Sequence, residues 1–176
     1  MTPKSPDRPL AAVALLLLAV AMAVAAPILP AARRVPDTLR SLAALDRVAL
    51  QIVPLPAPLV KMGMTHGKIE KSWRDKLKRA GIEITRERGA PALLLGVSYE
   101  VDDQVPDAVA ALATLFFKQK TRIPRLGRDL HLPTYTMTTH VLARKGALEE
   151  KFHKKVDEMM DDLLVKIREA TQAEKR

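Results

Sequence analysis

The sequence predicts a two-layer α+β sandwich in the order β-α-β-β-β-β-α. Its sheet is mostly antiparallel, and both helices lie on one face. Three observations carry this reading. "ALLLGVSYEV", Ala92 to Val101, alternates Leu93, Leu95, Val97, Tyr99 and Val101 against Leu94, Gly96, Ser98 and Glu100, the period of a strand. Around Trp73, apolar residues recur at helical spacing inside a basic stretch. Near the C-terminus, Leu148, Phe152, Val156, Met160, Leu163, Leu164 and Ile167 recur at three and four, as on an amphipathic helix.

In chain order, "RVALQI" opens the folded part, with Val48, Leu50 and Ile52 on one face; Pro54, Pro56 and Pro58 end it, since proline cannot donate to a ladder. The first helix is bracketed by Thr65 as N-cap and Gly81 as the residue just past its end. On a helical wheel Ile69, Trp73, Leu77 and Ala80 fall within roughly 80°. Lys68, Lys71, Arg74, Lys78 and Arg79 take the opposite side, and Lys76 flanks the apolar stripe, its stem buried and its ammonium reaching water. Trp73 is therefore read as core, and the basic back as a second candidate anion surface.

"IEITRE" turns Ile82 and Ile84 inward, and "RGAP" joins it to Ala92–Val101 as an antiparallel hairpin. Residues 108–122, "AVAALATLFFKQKTR", read as a strand because Lys118, Lys120 and Arg122 continue the face of Leu112, Thr114 and Phe116; the alternative is a short helix from Pro106 to Phe117. "PRLGRDLHLP" reads as a loop. "TYTMTTHVLA" is threonine-rich and alternates Tyr135, Met137, Thr139 and Val141 against Thr134, Thr136, Thr138 and His140. A helix from Ala147 to Ala170 closes the domain, and 171–176 are expected to fray.

The N-terminus speaks to compartment. Lys4 and Arg8 precede a 17-residue run without a polar side chain, Leu10 to Ala26, ending in Ala23-Val24-Ala25. A positive start, an apolar middle and an A-x-A exit describe a secretory signal peptide over 1–25, cut after Ala25. The run is just long enough for a retained anchor, which needs ~17–25 residues, and that would bring membrane contact. The expected organisation is a signal peptide over 1–25, a linker over 26–45, one α+β domain over 46–170 and the tail. The chain has no cysteine. A disulfide framework and a lipid-modified cysteine are thereby excluded for these residues, and export without disulfides points to a bacterial periplasm or exterior. Net charge is +9, which favours anionic partners.

Motifs for chemistry are few. His66, His131, His140 and His153 fall in different elements without H-E-x-x-H spacing; Asp102, Asp103 and Asp107 lack the order of a calcium loop. Neither G-x-S-x-G nor a glycine-rich phosphate loop occurs. No cofactor or metal is expected. What remains is the outer sheet face: Ser98, Glu100, Thr114, Phe116, Lys118, Lys120, Thr136, Thr138 and His140, with Arg122, Arg125 and Arg128 continuing the basic run. An outward aromatic among basic and hydroxyl groups suits a protein partner or an anionic ligand. The competing reading is an ordinary solvated face with Phe116 covered by the segment from Pro27 to Leu45.

The phrase Leu77-Lys78-Arg79-Ala80-Gly81-Ile82, a following strand at Leu93 to Val101 and a long helix at Leu148 to Ile167 resemble small exported bacterial α+β domains. The layout is similar to the N-terminal domain of the periplasmic Tol-Pal translocation protein. That resemblance implies an envelope interaction module without catalysis, and it assigns no functional residue. The expected function is an exported, non-enzymatic interaction or scaffolding domain whose partner is an envelope protein or an anionic envelope component. An anionic lipid- or polysaccharide-binding protein is the second reading, and a hydrolase with a spatially assembled site the third. Nucleic acid is disfavoured by an aromatic content of 3% and by the export signal.

Overall fold

Alternation builds most of this structure, a computed structural model that describes residues 35–175. The strands are β1 (Arg47–Ile52), β2 (Glu83–Ile84), β3 (Ala92–Val101), β4 (Ala108–Ile123) and β5 (Arg128–Arg144). The helices are α1 (Asp37–Arg40), α2 (Ala57–Lys61), α3 (His66–Arg79) and α4 (Lys145–Glu174). The sheet order is β2-β1-β3-β4-β5. Two long antiparallel ladders join β3, β4 and β5, and two short parallel ones join β1 to its neighbours. The architecture is the expected α+β arrangement, with one face of the sheet open. The expected signal peptide and residues 26–34 of the expected linker lie outside the described residues.

Period two places Leu93 and Leu95 of β3, Val109, Ala111, Ala113, Leu115 and Phe117 of β4, and Val141 and Ala143 of β5 on one side, all buried. Ile69, Trp73 and Leu77 of α3 and seven apolar residues of α4 from Leu148 to Ile167 belong to the same core. Residues 108–122 are a strand, as β-branched and aromatic residues at its end favour. The strand reading of Lys118, Lys120 and Arg122 also holds.

Helix α3 begins after Thr65 and ends in a Schellman turn. The Ile82 amide donates to the Leu77 carbonyl at 3.0 Å and the Gly81 amide to the Lys78 carbonyl at 3.1 Å. Gly81 stands at φ +77°, a left-handed conformation that glycine adopts without a Cβ penalty. The residues on either side of this turn, Leu77 and Ile82, are both buried. Ala80, expected in the apolar stripe, is instead exposed, because the turn lifts it off the core. Lys76 does flank the stripe: its side chain is 13% exposed, and its Nζ donates to the Asp157 carbonyl at 2.9 Å and to Asp161 Oδ2 at 2.7 Å.

Three expectations need correction. β2 and β3 are not a hairpin. β2 leaves α3 and lies parallel to β1, with the Glu83 amide on the Asp46 carbonyl and the Thr85 amide on the Val48 carbonyl. The connection from Thr85 to Pro91 then crosses β1, and β3 pairs on its other side, also parallel. A helix that packs back on the sheet returns its chain parallel to the strand it left, which overrides the local turn signal. Second, the expected loop from Pro124 to Pro133 is a tight turn, Pro124–Leu126 with Gly127, followed by the first residues of β5. The register shifts between Phe117 and Lys118, whose partners are Tyr135 and Pro133, leaving Thr134 as the extra residue of a bulge. Proline is tolerated there because β5 is an edge strand. Third, α4 continues past Ala170 to Glu174. The Arg40 guanidinium bonds Glu174 at 2.7 Å, and Thr171 Oγ1 accepts from the Ala44 amide at 3.0 Å.

Two predictions follow from this core. Trp73 is fully buried, and its truncation to Ala removes a large side chain from a site that cannot collapse around the loss. Trp73→Ala is expected to cost about 3–5 kcal/mol in urea denaturation followed by circular dichroism. His153, on α4 beside Glu149 and Asp157, has a buried Nε2 without a hydrogen-bond partner. Burial lowers its pKa below 6.5, although Glu149 and Asp157 push the other way. The unfolded chain therefore binds a proton near pH 6.5 that the fold takes up only at lower pH. Stability rises with pH across that interval and is lost as pH falls through 6.5. His153→Gln should show a smaller loss of stability between pH 7.5 and 5.5 than the parent chain; an unchanged slope would show that other groups carry it.

Candidate binding surface on the open sheet face

The ladders set the open face residue by residue. Leu94 lies opposite Phe116, and Phe116 opposite Thr136; Gly96, Thr114 and Thr138 form the next row, and Ser98, Leu112 and His140 the one after. Ala110 faces Leu142, which is 70% exposed; Leu112 is 41% exposed. Two apolar pairs, Leu94 with Phe116 and Leu112 with its diagonal neighbour Leu142, thus flank a row of threonines. Phe116 is half-buried. The part of the expected linker that is described does not cover it: Leu42 is fully buried and packs with α1 toward α4, on the helix side.

Beyond Phe116 the surface turns basic. Lys118, Lys120 and Arg122 follow at spacing two, and the bulge rephases β5 so that Pro133, His131 and Asp129 stand opposite them. Asp129 accepts from Lys120 at 3.1 Å and from Arg122 at 3.5 Å. Of the residues expected at this surface, the sheet brings Phe116, Lys118, Lys120, Arg122, Thr136, Thr138 and His140 onto one face. Arg125 sits in the hairpin turn, and Arg128 pairs with Ile123, on the helix side by register. The residues that strand phase alone missed are Asp129 and His131, which the bulge adds, and Arg86 and Arg88, which the crossing loop adds. Pro133 inside a strand-forming run was the available signal for the bulge.

The crossing loop borders this face. With Ala49, Gln51, Ala92, Lys118 and His131, the segment from Thr85 to Ala90 lines a groove of about 560 Å³. Arg86, Arg88 and Lys118 bring positive charge to it. Its one carboxylate, Glu87, is already bonded by Arg47 at 3.1 Å.

The second expected anion surface, the basic back of α3, is neutralised in part. Lys68 is paired with Glu149, Arg74 bonds Glu70 at 2.7 Å, and Lys76, beside the apolar stripe, bonds Asp161; no ion pair among the described residues involves Lys71, Lys78 or Arg79. The partners hold Glu70 and Glu149 below the usual carboxylate range, in each case first through the hydrogen bond. A single helix carrying this many cations needs acids beside it, and α4 and α3 itself supply them.

Among the described residues no three His, Cys, Asp or Glu side chains gather as a metal site requires, and no helix is long and apolar enough to cross a membrane. Asp102 Oδ1 accepts from the Gln104 amide at 2.8 Å, capping its own turn. The arrangement offers shape, apolar contact and positive charge.

Asp129→Asn should free Lys120 and Arg122 without disturbing the hairpin. Exposed pairs of this kind contribute about 0–1 kcal/mol, so the unfolding midpoint should barely move. Retention of the full chain on a heparin column should extend to higher salt; unchanged elution would show that the two cations are not accessible to an anion.

No family model matches the chain, and no curated protein matches it. Solved structures similar in layout include two bacterial lipoproteins. The minor lipoprotein of Acinetobacter baumannii is 14% identical, with a TM-score of 0.42 over 71% of this chain and 92% of that one. Rare lipoprotein B of Shewanella oneidensis is 10% identical, with a TM-score of 0.31 over 73% of this chain and 96% of that one. Neither is a Tol-Pal translocation protein. At such identities, and with both scores under 0.5, neither likeness says what the present chain does.

Proposed function

We propose that the chain is an exported, non-catalytic interaction domain of the cell envelope that binds a protein partner through the open face of its sheet. The observation that carries this reading is the composition of that face. Leu94, Leu112, Phe116 and Leu142 supply apolar contact, Thr114, Thr136 and Thr138 supply hydroxyls between them, and Lys118, Lys120 and Arg122 form a charged end. Apolar groups with a polar and cationic border are the usual build of a binding patch, in which a few central side chains carry most of the energy. Export rests on the sequence from Lys4 to Ala25.

A second reading, binding of an anionic lipid or polysaccharide, is favoured by one feature, the groove beneath Arg86 and Arg88. Its signature is salt dependence, because contacts to exposed cations are screened.

The test is to recover the full chain from its own envelope after mild crosslinking, with and without a high-salt wash, alongside the Phe116→Glu, Leu112→Glu double variant. A protein partner that survives salt and is lost with the double variant is the expected result. Equal recovery with both chains would place the partner elsewhere. Retention of lipid or polysaccharide alone, removed by salt, would favour the second reading.

A further inference from the structure

The outer edge of β5 is a different surface from the open face. β5 is the last strand of the sheet and, among the described residues, is paired on one side only, with β4. It is 17 residues long, far more than the two-residue strand β2 at the opposite edge. A long unpaired strand presents a row of free amides and carbonyls, and natural sheets usually blunt such edges with proline, lysine, bulges or short strands. The two halves of β5 differ here. From Arg128 to Thr134 the edge carries Pro133 and the bulge. From Tyr135 to Ala143 it carries no proline, no lysine and no bulge, and the ladder to β4 is regular throughout.

Beside this unprotected half lies a row of cations. His140, Val141 and Leu142 of β5 and Lys151, Lys154, Lys155 and Glu158 of α4 line a groove of about 300 Å³. Lys155 bonds Glu158 at 2.7 Å; no carboxylate among the described residues lies within ion-pair distance of Lys151 or Lys154. A strand laid along β5 from Tyr135 to Ala143 would run past these ammonium groups.

We infer that the Tyr135–Ala143 edge captures an extended acidic segment of another protein, which adds to the sheet as a sixth strand. Main-chain hydrogen bonds would give the affinity, and the lysines of α4 the choice of an acidic sequence over others. Charge argues against the nearer occupants. A second copy would bring a chain of net charge +9 against its like, with its own lysine row. The chain's first 34 residues hold Lys4, Arg8, Arg33 and Arg34 against Asp7, the wrong sign for this edge.

The test uses the full chain and two capped ten-residue peptides, one alternating Val with Glu and one alternating Val with Lys. Binding is read by fluorescence anisotropy, and the site by hydrogen exchange. The acidic peptide should bind and slow exchange at amides within 135–143; the basic peptide should not bind. Lys151→Glu with Lys154→Glu, both on an exposed helix face, should weaken acidic-peptide binding at least tenfold with the unfolding midpoint unchanged. The inference fails if the acidic peptide leaves β5 unprotected, or if it binds the double variant as well as the parent. It also fails if the same amides become protected with rising protein concentration in the absence of peptide, which would assign the edge to a second copy. Loss of the partner in the Phe116 and Leu112 experiment bears on the open face alone, so the two readings fail separately.

Discussion

Covering one face of the sheet, and only one, is the constraint on which the rest depends. α4 lies along β5 and β4, and α3 packs beside it. The inner face under α4 is built from small residues as well as large ones: Ala111, Ala113 and Ala143 are buried between Val109, Leu115 and Val141. Small side chains at these positions let a long helix approach the sheet closely, while Trp73, Phe117 and Phe152 are the largest side chains buried in the layer. Among the described residues no charged side chain is buried. The layer between helices and sheet is held by apolar burial alone, and ion pairs such as Lys76 with Asp161 and Arg40 with Glu174 trim its rim.

Two surfaces follow from that constraint. With only two long helices available, the second face of a five-stranded sheet stays open, which antiparallel ladders tolerate because their outward positions can be polar. This one is not uniformly polar, since Leu94, Leu112, Phe116 and Leu142 share it with threonines. Among the described residues no strand lies beyond β5, so the sheet ends there in a long edge, and α4 places lysines next to it. Both surfaces offer binding groups.

Legibility in the sequence followed the range of the signal. Strand phase is local, so the faces of β3, β4 and the C-terminal half of β5 could be read from alternation, and with them Phe116, Lys118, Lys120 and Thr138. The ends of α3 were legible through Gly81, whose conformation the Schellman turn requires. Pairing is not local. The parallel placement of β2 depends on α3 folding back over the sheet, and nothing in "IEITRERGAP" states it. The bulge at Thr134 reverses the phase of the strand's first half, so Asp129 and His131 joined the surface unforeseen. The pairing of two α3 cations was hidden for the same reason: Lys68 and Lys76 find their acids on α4, more than 80 positions away. Arg86 read as the end of a strand and Arg88 as the start of a turn, whereas both lie in the loop that crosses β1.

The most direct measurement is site-specific photocrosslinking in the cell envelope, with a photoreactive phenylalanine at position 116 and, as a control, at position 78 on the exposed side of α3. If the open face binds a partner, position 116 should give a discrete crosslinked protein band and position 78 none. Bands of equal strength at both positions, or none at 116 in a correctly exported chain, would contradict the central claim.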